Sequence, residues 1–375
     1  MAQIWFNKND AAWQQNESPL SVSEIIKRYE MGMAATWYDP EAKAEARETF
    51  KATGGYADFT DASHAMGFAD SYADKLVVPF VEAVMIFPGC FPGSAQARGD
   101  CVSHGRRTAD FMTMAGDIGA GVPDEVTGKL EGVPSDLPLE GQRDVVLSSE
   151  WSWWWRGYSG DGWSSSSSTP VSIKHGSMLR KAYPDLGIDL TKYSYSNTAK
   201  YGRSSPPESM AVIGRVHAIR TAANCNTFDE LRDALGNRHG ITTDGGEGFS
   251  STRDQYGMSS RRGSWSHCYP FLGADDRPKI KQKFGEPLVL NMNNWGTWNS
   301  GPRDIFESAD QYKPELKQKL IELDLVNPET GNLMIPKGAW WTRWSDVKRR
   351  EIYASAGYSG WTKKQLPNWG NTDLI

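Results

Sequence analysis

The sequence has no long apolar run, no cluster of basic residues and few cysteines. No stretch approaches the ~18 consecutive apolar residues of a membrane-spanning helix, so we expect no membrane contact. The formal net charge is -5, and without a run of Lys or Arg the sequence predicts no nucleic-acid partner. The segment from Met1 to Trp5 lacks a signal-peptide core, so we expect the protein to be cytoplasmic when it is synthesised.

The four cysteines do not form a recognisable cofactor or metal motif. Cys90, Cys101, Cys225 and Cys268 include no Cys-x-x-Cys pair and no dense framework, so we expect neither a metal site nor a cofactor. One disulfide stays open as an alternative. In a chain without an export signal, however, four free thiols are the expected state.

Tryptophan and glycine are the abundant residues, with 16 and 37 copies. This composition favours a loop-rich fold with many flat packing surfaces. The length of 375 residues is enough for one large two-lobed domain or for two ordinary ones.

The stretch 98–111 combines a tight turn, a cysteine and the start of a predicted helix. Gly99 and Asp100 form the turn and place Cys101 in the first helical turn. Unpaired N–H groups and the positive end of the helix dipole lower the pKa of a thiol at this position. The carboxylate of Asp100 acts the other way, since a neighbouring negative charge raises that pKa. Most free cysteines are small buried hydrophobes, so this stretch alone does not define a nucleophile.

Two later stretches supply a histidine and an asparagine. Residues 265–276 are predicted to form a short strand that carries His267, and residues 288–298 a second strand that ends in Asn-Asn-Trp-Gly and contains Asn293. A cysteine at a helix start, a histidine on a strand and an asparagine before Trp-Gly follow each other in this chain. This order resembles that of the papain-like cysteine peptidases.

The resemblance implies a catalytic triad of Cys101, His267 and Asn293. The thiolate of Cys101 would attack a carbonyl group, and His267 would form an ion pair with it and then protonate the leaving amine. Asn293 would accept the imidazole N–H and orient the ring, and Trp295 would cover that hydrogen bond from water. The resemblance places no cofactor in the site.

The oxyanion hole implied by the resemblance departs from the family pattern. It would consist of the Cys101 backbone N–H and the side-chain amide of an upstream glutamine. In the family this glutamine lies six residues before the cysteine, whereas Gln96 lies five residues before Cys101 and Ala95 occupies the matching place. Asp100 and Val102 also replace the Ser and Trp that flank the cysteine in many members. We still assign the donor role to Gln96.

The other cysteines and histidines fit these roles less well. Cys268 follows His267 on a strand, so the two side chains point to opposite faces. Cys225 lies too close to His267 in sequence for an intervening lobe, and Cys90 lies between two prolines in a turn. His104, one turn into the predicted helix, is interpreted as a packed histidine.

We predict an α+β fold, two-lobed and papain-like, with a helical arm before it and an extension after it. The arm covers residues 1–76, the papain-like domain 77–310, and the C-terminal extension 311–375 packs on the second lobe. Its tryptophans are expected to pack rather than to form a ligand platform. The arm is either an inhibitory propeptide or a docking arm, and it contains predicted helices at 21–33, 40–53 and 61–74.

Several local patterns predict secondary structure within the domain and the extension. The stretch 157–168 is either a glycine-rich loop bordering the substrate cleft or a flexible serine linker. The remaining predictions are strands at 77–87 and 210–221 and helices at 171–182, 227–236 and 314–323.

Together these features predict a papain-like cysteine peptidase or related amide hydrolase that acts on a polypeptide substrate. The alternative is a structural or binding protein that retains the fold, for example a virion component of a tailed phage with protein assembly partners. The unmatched arm and the tryptophan-rich C-terminal part fit this alternative without establishing it. In that case the protein would be located in the virion.

Overall fold

The computed structural model of the protein describes residues 72–120 and 147–356, apart from residues 88, 158, 159, 202, 203, 216, 220 and 313. Most of the predicted arm therefore lies outside the described residues, as does the end of the C-terminal extension. None of the helices within the described ranges combines the length and apolarity that crossing a membrane requires.

The described strands are, in chain order, β1 (Leu76–Val77), β2 (Ala182–Tyr183), β3 (Ile188–Asp189), β4 (Thr221–Asn224), β5 (Ile241–Phe249), β6 (Arg261–Asp275), β7 (Leu288–Met292), β8 (Asp304–Ser308), β9 (Asn332–Met334), β10 (Ala339–Arg343) and β11 (Glu351–Ala356). Seven of them form the main antiparallel sheet, in the order β10-β7-β6-β5-β11-β4 with β1 paired to β6. The strands β2 with β3, and β8 with β9, form two small separate sheets.

The described helices are α1 (Phe80–Ile86), α2 (Cys101–Ala120), α3 (Ser149–Trp154), α4 (Ser165–His175), α5 (Tyr195–Tyr201), α6 (Glu208–Arg215), α7 (Phe228–Gly236), α8 (Pro278–Phe284), α9 (Pro314–Glu322) and α10 (Trp344–Val347). Short 3-10 turns cover Pro184–Leu186 and Ala309–Gln311. Helices together with an antiparallel sheet confirm the predicted mixed α+β class.

Helix α2 lies directly against the main sheet because glycine occupies the closest contacts. A Cβ atom on Gly105 would lie 2.8 Å from the Cys268 sulfur and 3.4 Å from the Tyr269 backbone on β6. A Cβ atom on Gly240, just before β5, would collide with the carbonyl group of Ala109 on α2. Glycine therefore allows the helix to approach β5 and β6 more closely than a side chain would.

The sheet and the helical segment 149–215 each have their own apolar packing. The cluster on the sheet contains Cys101 together with Trp265 and Trp295. A separate cluster in the helical segment consists of Trp151, Trp154, Met178, Tyr183, Ile188, Leu190, Tyr201 and Met210. On the sheet, Trp340 and Trp341 of β10 are also buried, which confirms the packing role predicted for these tryptophans.

The capped and amphipathic helices were predicted correctly. Helix α7 begins after Thr227 and ends at Gly236. The Thr227 hydroxyl accepts from the Glu230 backbone N–H, and the Glu230 carboxylate accepts from the Thr227 backbone N–H. Helix α9 ends one residue before the predicted boundary. Both patterns are local, because one capping box or one apolar helical face is sufficient to predict each of them.

Two predicted strands were wrong. Residues 77–87 are not a strand, since α1 occupies 80–86 after a two-residue β1. A short apolar run does not distinguish a buried helix from a strand, and here both sides of the run are buried. Residues 210–221 form most of α6 and only the first residue of β4. This run is one side of a partly exposed helix, since Met210 and Ala211 are buried while Val212 is 63% exposed.

The helix predicted at 171–182 begins and ends earlier than expected. Helix α4 begins at Ser165, with the Ser164 hydroxyl accepting from the Ser167 backbone N–H, and it is followed by Gly176 at φ 63°. The serine run is therefore the N-terminal part of a helix, and the linker interpretation of it was wrong. Ser164 is favoured as an N-cap, and this cap offsets the low helix propensity of the following serines.

We predict that Gly240→Ala destabilises the protein, because the added methyl group would collide with the α2 backbone at Ala109. Inserting a methyl group into close packing typically costs about 1–3 kcal/mol. Gly246→Ala on β5 is the matched control, since its Cβ would meet only the Ser264 hydroxyl at 3.7 Å. Urea unfolding of both variants measures the difference, and equal destabilisation would contradict the close approach of helix and strand.

Candidate active site

His267 and Asn293 lie next to each other because β6 and β7 are neighbouring antiparallel strands. The pairing of these strands ends at Phe271 opposite Asn291. His267 precedes Phe271 on β6 and Asn293 follows Asn291, so in antiparallel strands both lie beyond the same end of the pairing. His267 Nε2 lies 2.7 Å from Asn293 Oδ1, which also accepts from the Asn294 backbone N–H at 2.7 Å. In the neutral ring Nε2 therefore carries the hydrogen, and Nδ1 is the basic nitrogen.

Trp295 covers the imidazole of His267. The two rings are stacked with their centroids 4.6 Å apart and an interplanar angle of 16°. Trp265 approaches the same imidazole edge-on at 6.1 Å. Both indoles are buried, so the hydrogen bond between His267 and Asn293 is shielded from water.

Cys101 begins α2, and hydrogen bonds of the Asn294 side chain connect its backbone to strand β6. The Asn294 Nδ2 donates to the Cys101 carbonyl at 3.1 Å and to the Cys268 carbonyl at 2.8 Å. Because Cys268 follows His267 directly on β6, this side chain connects the start of the helix with the histidine strand. Asn294 was not singled out in the sequence, although it is the second residue of the Asn-Asn-Trp-Gly motif.

Gln96 is held in the turn before α2. Its backbone N–H donates to the Asn294 carbonyl at 2.9 Å, and its Nε2 donates to the Arg98 carbonyl at 2.7 Å. The side chain is 1% exposed. An amide nitrogen carries two hydrogens, so Nε2 is a donor of up to two hydrogen bonds.

The side chains of the predicted triad and of Gln96 are all buried. Cys101 and His267 are 0% exposed and Asn293 is 2% exposed. Neighbouring segments therefore cover Cys101 completely. The loop before α4 is one such neighbour, since Gly162 donates to the Gly99 carbonyl at 2.9 Å and Asp161 forms a 2.8 Å ion pair with Arg98.

The environment of His267 favours the neutral ring. Burial lowers the pKa of His267 to about 3, the hydrogen bond to Asn293 opposes this effect, and the positive charge of Arg350 adds to it. Arg350 Nη2 also donates to the His267 carbonyl at 2.5 Å while its guanidinium lies 4.3 Å from the centroid of the Tyr269 ring. Arg350 was likewise missed in the sequence, where nothing connects it with His267.

A second buried polar group lies on the other side of the Cys101 turn. The Asp100 carboxylate accepts from the Tyr193 hydroxyl at 3.0 Å and lies 3.4 Å from His104 Nε2. The edge of the Tyr193 ring also packs on His104, with centroids 4.8 Å apart. Burial lowers the pKa of His104, so this histidine is a packed neutral residue, as predicted.

The remaining cysteines are poor nucleophiles. All four cysteines are free and buried. Burial raises the pKa of Cys268 to about 12, and it also raises the pKa values of Cys90 and Cys225. Within residues 72–120 and 147–356 no group of three or more His, Cys, Asp and Glu side chains has an arrangement that would hold a metal ion.

Comparisons with known proteins find structural but no sequence relatives. No protein-family description and no curated protein matches the chain. One similar solved structure is that of xylellain, a cysteine protease from Xylella fastidiosa. It has 10% sequence identity and a TM-score of 0.39, and the match covers 80% of this chain and 94% of the xylellain chain. Digestive procathepsin L 3 of the Tenebrio molitor larval midgut has 13% sequence identity and a TM-score of 0.38. The match covers 89% of this chain and 87% of the procathepsin chain.

A third similar structure contains the cysteine protease and lectin-like domains of a surface-layer-associated protein of Clostridium difficile. It has 13% identity and a TM-score of 0.30 over 75% of this chain and 50% of its own. TM-scores this low carry no argument about this chain. Its functional assignment therefore rests on the side chains of the site.

We predict that the titration of His267 is measurable in a variant without the Cys101 thiol. The folded-state pKa of His267 is about 3, below the unfolded value of about 6.5, so the unfolded chain binds the proton first as the pH falls. The stability that is present above about pH 6.5 is therefore lost as the pH falls towards 3. We compare Cys101→Ala with the double variant Cys101→Ala/His267→Gln between about pH 6 and 4. As the pH falls, the unfolding free energy of Cys101→Ala should decrease by up to about 1.4 kcal/mol per pH unit more than that of the double variant.

Urea unfolding of both variants across this pH range gives the two slopes. The double variant is the control for every other titrating group, His104 included. Identical slopes would show that His267 is not a buried neutral base.

Proposed function

We propose that the protein is a cysteine peptidase, or a related amide hydrolase, that acts on polypeptides through Cys101, His267 and Asn293. The observation that carries the proposal is the buried 2.7 Å contact between His267 Nε2 and Asn293 Oδ1 under the Trp295 ring. It commits Nε2 to the asparagine and leaves Nδ1 as the base for a thiol. Asn294 attaches the Cys101 backbone beside the same strand.

The reaction proceeds by acyl transfer. The Cys101 sulfur forms a bond to the substrate carbonyl carbon while its proton passes to His267 Nδ1. The Cys101 backbone N–H and Gln96 Nε2 donate to the developing oxyanion. His267 then gives the proton to the leaving amine as the C–N bond breaks, and water, deprotonated by His267, hydrolyses the thioester.

The charge on His267 depends on the state of Cys101 in this mechanism. Burial by itself keeps the imidazole neutral. An opposite charge close to a buried group favours its charged form, so a Cys101 thiolate would stabilise the imidazolium. The two charges therefore form together, and neither is stable alone in the buried site.

The proposal includes the domain arrangement expected from the sequence. A two-lobed domain over residues 77–310 would place the site between the helical segment and the sheet, with the arm before it and the extension after it. The extension contributes β10 and β11 to the main sheet, and Arg350 from the same part of the chain contacts the His267 backbone. No observation on the described residues favours the alternative of a structural or virion protein.

We predict that the protein hydrolyses fluorescein-labelled casein and that Cys101→Ser abolishes this activity. Cys225→Ser is the matched control, since this buried cysteine lies outside the site and should retain activity. Iodoacetamide should modify Cys101 at mildly acidic pH, where an ordinary thiol of pKa about 8.5 reacts slowly. Absence of both hydrolysis and acid-side alkylation in the wild-type protein would favour the structural alternative.

We predict a separate role for Gln96 in turnover. Removal of one oxyanion donor typically costs about 2.7–4 kcal/mol in the transition state, or roughly 100- to 1000-fold in kcat. Gln96→Ala and the isosteric Gln96→Glu should both show this loss, while Cys101 alkylation stays close to the wild-type rate. Hydrolysis at the wild-type rate in either variant would mean that the turn before α2 does not present this amide to the substrate.

A further inference from the structure

Asn294 makes hydrogen bonds to the backbone on both sides of the proposed site. Its Nδ2 donates to the carbonyl of Cys101, at 3.1 Å, and to that of Cys268, at 2.8 Å. Since both partners are acceptors, the orientation of the amide is determined. The residue is 6% exposed, so little water is available to replace these bonds.

The backbone of Asn294 contacts the two remaining residues of the proposed machinery. Its N–H donates to Asn293 Oδ1 at 2.7 Å, and its carbonyl accepts from the Gln96 N–H at 2.9 Å. One residue thus contacts Gln96, Cys101 and Asn293 directly and reaches His267 through the adjacent Cys268.

Neither side-chain bond is required by the secondary structure. The Cys101 carbonyl belongs to the first turn of α2, where a carbonyl oxygen has a second lone pair beyond its helical hydrogen bond. The pairing of β6 with β7 ends at Phe271, so Cys268, which pairs with Asp244 of β5, lies beyond the last residue that pairs with β7. The Asn294 amide therefore connects a helix start to a strand at a point where no backbone ladder does so.

We propose that Asn294 is a positioning residue that sets the distance between the Cys101 sulfur and the His267 ring. This inference rests on the proposed function. Loss of the amide would remove none of the triad side chains but would release the start of α2, and Cys101 with it, from β6. A displacement of about 1 Å between reacting groups lowers turnover by about 100-fold, so the effect should appear in kcat rather than in KM.

Asn291 provides a matched control on the preceding strand β7. Its Nδ2 donates to the Val289 carbonyl at 3.0 Å, the Trp340 carbonyl at 3.3 Å and the Thr342 hydroxyl at 3.1 Å. It is also buried and also connects two elements, β7 and β10, but these hydrogen bonds involve none of the proposed catalytic residues. Leucine has a branched shape similar to that of asparagine and no donor, so Asn294→Leu and Asn291→Leu remove comparable bonds.

The test compares kcat, KM and the thermal unfolding midpoint of the wild type, Asn294→Leu, Asn294→Ala and Asn291→Leu. The substrate is a peptide whose cleavage has first been mapped in a casein digest. We expect both leucine variants to unfold at lower temperature than the wild type. Only the Asn294 variants should lose about 100-fold in kcat, with KM close to the wild-type value.

Each outcome is decisive. A wild-type protein that does not cleave casein would overturn the proposed function and this inference with it. An active wild type in which Asn294→Leu and Asn291→Leu have equal kcat values would overturn the inference alone. If neither Asn294 variant folds, as judged by circular dichroism, the residue is structural and the inference is overturned as well.

Discussion

The close contact between α2 and the main sheet is the constraint on which the rest of the structure depends. Gly105 allows the helix to approach Cys268 and Tyr269, and Gly240 allows β5 to begin against the Ala109 carbonyl. A helix start carries unpaired donors, and this packing brings that end to the edge of the strand with His267. A side chain at either position would force α2, and Cys101 with it, away from β5 and β6.

Burial determines the chemistry that the site is able to perform. Desolvation holds His267 neutral, and the Arg350 guanidinium against its backbone acts in the same direction. Low dielectric surroundings also strengthen each remaining interaction, so one hydrogen bond to Asn293 is enough to orient the ring. The same burial raises the pKa of Cys268, so both of these adjacent side chains on one strand are held in their neutral forms.

Local patterns predicted part of the fold correctly and failed where burial decided the structure. The capping box at Thr227 and Glu230 predicted α7, because both partners of each hydrogen bond lie within one helical turn. The apolar run at 77–87 did not distinguish a strand from α1, because the residues on opposite sides of this helix are buried alike. For α4, the serine run left a loop and a linker open as interpretations. Neither included a helix, because serine has a low helix propensity that only the Ser164 cap offsets.

The sequence by itself determined the candidate chemical groups. A cysteine after a Gly-Asp turn, a histidine on a strand and an asparagine before Trp-Gly are short-range features, and each is visible in a few residues. Only the tertiary structure decided how these groups are held, because Asn294 and Arg350 act on residues far away in the chain. The contacts of Asn294 arise where α2, β6 and β7 meet, and those of Arg350 arise where the chain returns just before β11. Hydrogen bonds between such distant segments leave no periodic or local signal in the sequence.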